Sequence, residues 1–258
     1  MQLDTPLVFS ESWSMATNSF EAAVVVNQDV PDTILVGAYV GGSNGAKENG
    51  STGFVIADMN ANGTTNFSQF YNGAYTIGAV NNSYAPLTAQ AWYYDASKVG
   101  TAYWLQADLN MDGILAGLQY TGIDLGNSST AISAMIGYEM KDTFIAKLSY
   151  SVVDDAGFNL SGSGMSKLYT ESWYTWLVSS ADTTAMNLTV EAPVAGIDLG
   201  LYATTTSNDT TNNDATEVTV TAIKSFGPLD TSVAAIMTDL DANPSTISTL
   251  QVFLTYNY

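Results

Sequence analysis

The side chains of this sequence that could carry out chemistry are nearly all carboxylates. There are 25 Asp and Glu residues and six Lys residues, which gives a formal net charge of −19. Arg, His and Cys do not occur. Without His or Cys the chain cannot form an ordinary Ser/His/Asp triad, a cysteine nucleophile, or a metal site of imidazole and thiolate ligands. The negative charge would also repel the phosphate backbone of nucleic acid. We therefore expect no catalytic residues, no enzyme activity and no nucleic-acid partner.

Two stretches resemble the opening of a calcium-binding loop, namely Asp108-Leu-Asn-Met-Asp-Gly113 and Asp58-Met-Asn-Ala-Asn-Gly63. Both place oxygen-bearing side chains at alternate positions before a Gly, as calcium loops do. At the twelfth position, however, they carry Gln119 and Gln69 instead of the bidentate Glu. The first stretch is also what a tight hairpin turn through Asp-Gly requires. We therefore predict no metal site and no cofactor, with a bound Ca²⁺ as the alternative that these stretches leave open.

The elements that would position the carboxylates are predicted to be β-strands. Thirteen segments, most of them about ten residues long, alternate apolar and polar side chains, which is typical of membrane-spanning strands. Tight turns rich in Pro, Gly, Asn and Asp alternate with longer loops, as in barrels whose short turns share one side of the membrane. No run of about 18 apolar residues predicts a transmembrane helix. The sequence thus predicts a single all-β domain, an antiparallel transmembrane β-barrel over residues 1–258, with a soluble β-sandwich or an acidic halophilic protein as alternatives.

If the apolar face of each strand contacts lipid, the other face lines a lumen. The alternation assigns eight charged residues to that lumen face: Glu21, Asp108, Glu139, Lys147, Glu191, Asp198, Glu217 and Asp230. Seven of these are acidic and one is basic, so the field inside the pore would attract cations and repel anions. The alternative is that several lie at strand ends and only promote solubility.

An aromatic-rich run, residues 168–176, lies in the longest loop. It could form a short helix or extend a strand. Its aromatic side chains favour a packed loop core over anchors at the membrane interface.

Four stretches resemble the major outer-membrane porin family of the Campylobacter and Helicobacter lineage, which is itself similar to the OprD-type substrate-specific porins. They are Leu3-Asp-Thr-Pro-Leu-Val-Phe-Ser-Glu-Ser-Trp13 with Asn18-Ser-Phe-Glu-Ala22, Pro86-Leu-Thr-Ala-Gln-Ala-Trp-Tyr-Tyr-Asp95, Ser225-Phe-Gly-Pro-Leu-Asp-Thr-Ser232, and Val252-Phe-Leu-Thr-Tyr-Asn-Tyr258. The resemblance implies an eighteen-stranded, trimeric barrel of the bacterial outer membrane that lets small hydrophilic solutes diffuse passively. It also implies that a signal peptide and roughly five further strands precede Met1.

In that family the segment matching residues 3–18 folds into the channel as its constriction. The resemblance therefore makes Asp4, Ser10, Glu11 and Ser14 candidates for contacting permeating solutes. In the family Gly-Arg-Gln normally comes just before Leu-Asp-Thr-Pro; here Gln2 precedes Leu3, and the Arg is beyond the start of this chain. With no Arg in the chain, the basic side of the constriction cannot be assigned from the sequence.

The C-terminal segment matches the signal that the barrel-assembly machinery reads in this family. Its alternating apolar positions are Leu250, Val252, Leu254, Tyr256 and Tyr258. The expected partners are therefore the lipid bilayer, the barrel-assembly machinery, small hydrophilic solutes and cations, and two further copies in a homotrimer. The alternative function is a surface-exposed structural or adhesive β-barrel whose long loops bind partners.

Overall fold

The computed structural model describes residues 1–10, 18–44, 67–96, 99–124, 126–157, 166–173, 176–211 and 213–257. These residues form thirteen β-strands and a short 3₁₀ turn at Trp176–Ser179. The strands are β1 (Phe20–Asn27), β2 (Thr33–Ser43), β3 (Ser68–Tyr84), β4 (Leu87–Ala96), β5 (Gly100–Met111), β6 (Ile114–Asp124), β7 (Ser128–Met140), β8 (Phe144–Val153), β9 (Thr183–Val194), β10 (Ile197–Asn208), β11 (Ala215–Phe226), β12 (Leu229–Leu240) and β13 (Asn243–Tyr256).

All thirteen strands belong to one antiparallel sheet in which every strand pairs with its neighbours in sequence, from β1 to β13. This confirms the predicted all-β fold and strand count. The tight turns have the backbone that two-residue hairpins require, since Asp112, Asp142 and Ala195 adopt φ angles of 53°, 58° and 52°. In the part of the chain that the structure describes, no helix has the length and apolar character of a membrane span.

One face of the sheet, here called the outer face, exposes large apolar side chains on every strand. Ile136 and Leu250, for example, are 65% and 68% exposed. A soluble protein rarely exposes a continuous apolar surface of this extent. Towards the strand ends opposite the tight turns, the outer face carries a row of tyrosines, here called the tyrosine row: Tyr39, Tyr75, Tyr93, Tyr103 and Tyr120.

The opposite face, here called the covered face, is partly overlaid by two segments that do not belong to the sheet. The first is the N-terminal hairpin, residues 1–10, whose Leu7 and Val8 are buried in one core with Trp92 of β4 and Trp104 of β5. Burial of each such side chain stabilises the fold by about 1.5–3 kcal/mol. The hairpin is therefore held against the sheet, here called the wall, by ordinary hydrophobic packing.

The second overlying segment is the inner loop, residues 166–173, which follows β8 and precedes the 3₁₀ turn. Leu168 of this loop and Val178 of the turn are buried in the same core as the hairpin. The Trp173 ring lies 5.5 Å from the Tyr202 ring of β10. The part of the aromatic run within the described residues is therefore packed against the wall.

Candidate functional site

The N-terminal hairpin presents one carboxylate away from the wall. Its ends are joined because Ser10 N–H donates to the Leu3 carbonyl (2.8 Å) and Leu3 N–H donates to the Ser10 hydroxyl (3.1 Å). Leu7 N–H donates to the phenol oxygen of Tyr94 on the wall (3.4 Å). With its apolar residues on the wall side, the hairpin leaves the Asp4 side chain 90% exposed.

A row of three glutamines crosses the covered face beside the hairpin. Gln106 of β5 lies opposite Gln90 of β4 and Gln119 of β6 in the strand register. The Gln119 amide donates to Gln106 Oε1 (3.1 Å), and the Gln106 amide donates to Asp108 Oδ2 (2.7 Å). The Trp92 indole N–H donates to Gln90 Oε1 (2.8 Å). These bonds fix the orientation of the amides, so the row is a rigid surface for whatever binds it.

The inner loop binds this glutamine row through its backbone. Gln119 Nε2 donates to the Lys167 carbonyl (2.9 Å), and Tyr169 N–H donates to Gln119 Oε1 (3.0 Å). The Tyr169 phenol donates to Asp108. One end of the loop is thus fixed to two adjacent strands by three hydrogen bonds.

Tyr169 also packs on bare backbone. A side chain at Gly117 of β6 would place its Cβ 2.4 Å from the Tyr169 phenol oxygen, so only glycine leaves room for the ring. Burial raises the pKa of the Tyr169 phenol above its ordinary value of 10.0, and the hydrogen bond to Asp108 raises that pKa further. The phenol therefore stays protonated near neutral pH and keeps donating to Asp108.

The two overlying segments meet at an ion pair. Lys167 Nζ of the inner loop contacts Asp4 of the hairpin and also lies 5.0 Å from the centre of the Phe9 ring. Beside the pair is a cavity of about 320 Å³. Its polar lining residues are Asp4, Gln90, Gln106, Gln119, Lys167 and Tyr169.

The far end of the inner loop is bound to more distant strands. The Thr170 hydroxyl lies 2.6 Å from the Ser151 hydroxyl of β8, and both are buried. Trp173 N–H donates to Glu217 Oε1 of β11 (2.6 Å). The inner loop therefore extends over the covered face from β6 to β11.

Similarity to known proteins is found in structure and not in sequence. No protein-family model matches the chain, and no curated protein matches it significantly. The outer membrane protein OpdK from Pseudomonas aeruginosa superposes with a TM-score of 0.76 at 14% identity, over 99% of this chain and 74% of that chain. OccK10 (OpdN) of the same species gives a TM-score of 0.81 at 12% identity, over 100% and 78% of the two chains. A BenF-like porin from Pseudomonas fluorescens Pf-5 gives 0.79 at 10% identity, over 99% and 72%.

The chain has the porin fold. This agrees with the predicted antiparallel barrel of porin type, although the thirteen strands form an open sheet in which β1 and β13 do not pair. The solved neighbours share this fold, and membership of an OprD-like family stays a prediction. The origin in the Campylobacter and Helicobacter lineage stays a prediction.

Within the porin fold, seven of the eight residues assigned to the lumen lie on the covered face. Three of them, Glu139, Glu191 and Asp198, line one cavity of about 300 Å³ near the tight turns. Tyr202 donates to Glu191 there (2.6 Å). The remaining four are Asp108, Lys147, Glu217 and Asp230. Lys147 lies two residues along β8 from Ile145, which pairs with both Glu139 and Glu191.

Glu21 is the exception and corrects the sequence assignment. Phe20 is 3% exposed within the core and Ala22 packs against that core, so the alternation of β1 turns Glu21 towards the outer face. The physical reason is local. The hairpin covers this stretch of wall, which makes its covered side apolar, so polarity no longer distinguishes the faces.

The constriction candidates have different outcomes. Asp4 lines the cavity, whereas the Ser10 hydroxyl is engaged by Leu3 inside the hairpin. Glu11 and Ser14 lie outside the described residues. Of the calcium-like stretches, the first is the end of β5 with its hairpin turn at Asp112-Gly113, and the second, residues 58–63, lies outside the described residues.

Sequence reasoning missed Lys167, Tyr169 and the glutamine row. Lys167 places a basic side chain beside Asp4, in the lining of the same cavity. One signal was available: Gln90, Gln106 and Gln119 occupy covered-face positions of three consecutive strands. No sequence signal indicated the pairing of Lys167 with Asp4, because the two residues are 163 positions apart.

Proposed function

We propose that this protein is a passive channel of the bacterial outer membrane for small hydrophilic solutes, with a preference for cations. The observation that carries the proposal is the contrast between the two faces of the sheet. The outer face is apolar on every strand, as lipid requires, while the covered face is polar and charged, as a water-filled lumen requires. The porin neighbours support the same reading.

The proposed cation preference rests on the charges of the covered face. The covered face of the wall carries six carboxylates and one lysine, Lys147. At the proposed constriction the negative charge of Asp4 and the positive charge of Lys167 cancel. The excess negative charge elsewhere would raise the local concentration of cations in the lumen.

We further propose that the thirteen strands belong to a larger closed barrel of about eighteen strands and that three copies form a trimer. Within the described sheet, β1 and β13 each have one edge without a partner strand. Unpaired backbone groups are costly in lipid, so a barrel in a membrane closes. The greater length of the porin neighbours, of which this chain covers 72–78%, also supports additional strands.

Planar-bilayer recording tests the channel. We expect protein extracted in its assembled form from outer membranes to give stepwise currents, and its reversal potential in a KCl gradient to have the sign of cation preference. A heat-denatured sample is the control. Absence of currents would contradict the channel and favour the structural or adhesive alternative, whereas a reversal potential of chloride sign would contradict the cation preference alone.

The C-terminal strand carries the proposed assembly signal on the outer face. Leu250, Val252, Leu254 and Tyr256 are all more than half exposed there, and Tyr258 lies outside the described residues. We expect Tyr256→Ala to reduce the amount of folded, heat-modifiable protein in outer membranes.

The matched control for Tyr256→Ala is Thr255→Ala, which changes the neighbouring side chain on the covered face. Heat-modifiability on gels measures folding directly. Equal yields of the two variants would show that the assembly machinery does not read the outer-face residues.

A further inference from the structure

The inner loop is fixed to the wall at two ends by different strands. At the near end, Gln119 and Asp108 hold residues 167–169. At the far end, Glu217 accepts the Trp173 N–H. Lys167, whose ammonium group contacts Asp4, belongs to this same eight-residue segment. Its location therefore depends on how both ends are held.

Glu217 differs from the other carboxylates of the wall in its burial. It is 2% exposed, on β11, and the Thr238 hydroxyl of β12 also donates to it (3.3 Å). A buried carboxylate that accepts backbone N–H groups makes a stronger bond than a neutral acceptor. It is also costly to bury without such donors. The bond to Trp173 is therefore worth more than an ordinary loop contact.

The register shows that Glu217 is isolated among neutral side chains. The row of paired covered-face residues running from β6 to β11 is Gly117, Met135, Ser149, Asn187, Thr204 and Glu217. In this row only Glu217 is charged. No other member could replace it as a charged acceptor for the loop.

The inner loop also takes a shorter path between its two anchors than the path along the sheet from β6 to β11. Four residues separate the Tyr169 and Trp173 amides, which is about 14 Å at full extension. Five strand spacings separate β6 from β11, or about 24 Å along the sheet. The Gln119 and Glu217 side chains therefore reach across the remaining distance, and between these anchors the loop contacts the wall where Thr170 meets Ser151 of β8.

We propose that Glu217 is a positioning residue that holds the far end of the inner loop and thereby places Lys167 in the constriction. This inference rests on the proposed channel function, since it assigns a device that sets the width and charge of that channel. Glu217 acts through the loop and contacts no permeating solute.

Cysteine labelling tests the proposal without requiring a current. The chain has no native Cys, so Lys167→Cys introduces a single reporter thiol. Its rate of modification by a cationic methanethiosulfonate reagent is measured on folded, detergent-solubilised protein. With Glu217→Ala added, we expect the rate to rise about tenfold, because the loop opens more often. With Glu217→Gln, whose amide oxygen still accepts the Trp173 N–H, we expect a rate within about threefold of the parent.

Glu191→Ala is the matched control, since it removes another covered-face carboxylate, one bound to Tyr202 and not to the loop. We expect it to leave the labelling rate unchanged or slightly lower, since the lumen loses one carboxylate that attracts the cationic reagent. Equal rates for Glu217→Ala and Glu191→Ala would overturn the proposal.

A second pair of variants serves if Glu217→Ala does not fold. Trp173→Pro removes the N–H that donates to Glu217, whereas Trp173→Ala removes the ring and keeps the N–H. We expect faster labelling for Trp173→Pro than for Trp173→Ala, and the reverse order would refute the role of Glu217. A protein that labels as expected but carries no current would contradict the channel proposal and still support the role of Glu217 in holding the loop.

Discussion

Gly117→Leu is expected to expel Tyr169 from the wall and widen the channel. The first carbon of any new side chain would lie 2.4 Å from the phenol oxygen and 2.5 Å from the ring carbon that bears it. Such overlap is relieved only by moving the ring, at a cost of about 1–3 kcal/mol. Once the ring moves, the hydrogen bond to Asp108 is lost, and the near end of the inner loop keeps the two bonds to Gln119.

The measurement is single-channel conductance of Gly117→Leu, which we expect to rise by about half or more as the inner loop leaves the lumen. Gly37→Leu is the matched control. Gly37 is also a strand glycine, but a Cβ there meets nothing within 4 Å. Unchanged conductance in Gly117→Leu would mean that the loop does not narrow the pore.

A double-mutant cycle separates this effect from a general loss of stability. If Leu at position 117 acts by displacing the Tyr169 ring, then Tyr169→Ala in the Gly117→Leu background should change conductance little further. Additive changes would show that the two residues act independently.

Lys167→Glu is expected to increase the cation preference strongly. The substitution reverses a charge at the point where Asp4 and Lys167 meet, so both side chains become acidic. Fields are focused in a narrow aqueous path between low-dielectric walls, and we expect the cation-to-anion permeability ratio to rise on the order of fivefold. Reversal potentials in a KCl gradient measure this ratio directly.

Two further variants sharpen the test of Lys167. Asp4→Asn leaves the lysine without its partner and should lower the same ratio. Lys147→Glu makes an identical charge change on the wall of β8, away from the ion pair, and should have a smaller effect. Equal shifts for Lys167→Glu and Lys147→Glu would show that selection occurs along the whole lumen and not at the ion pair.

The strands were predictable from sequence because lipid and lumen impose opposite demands on alternate residues. One of the thirteen alternating segments, for instance, is β12, Leu229–Leu240. The alternation fails in one informative place. Where the N-terminal hairpin covers the wall, Phe20 and Trp104 make the covered face apolar, and Glu21 was assigned to the wrong side.

The cavity between the hairpin and the inner loop was predictable only in part. The family resemblance indicated an inward segment at residues 3–18, and Asp4 does line the cavity. The inner loop was not predictable, because its contacts join residues far apart in the chain. Tyr169 and Asp108 are separated by 61 positions, and Trp173 and Glu217 by 44. Local pattern carries no information about such pairs.

The position of the tyrosine row bears on how the applied voltage falls along the channel. On β4, Gln90 of the glutamine row lies three residues from Tyr93 and three residues from Leu87, where the strand begins at its tight turn. About 10 Å of strand therefore separates the glutamine row from the tyrosine row on one side and from the tight turn on the other. A blocking ion that enters from either side should cross about half of the applied voltage before it reaches Lys167, giving equal electrical distances and a nearly symmetric current–voltage curve.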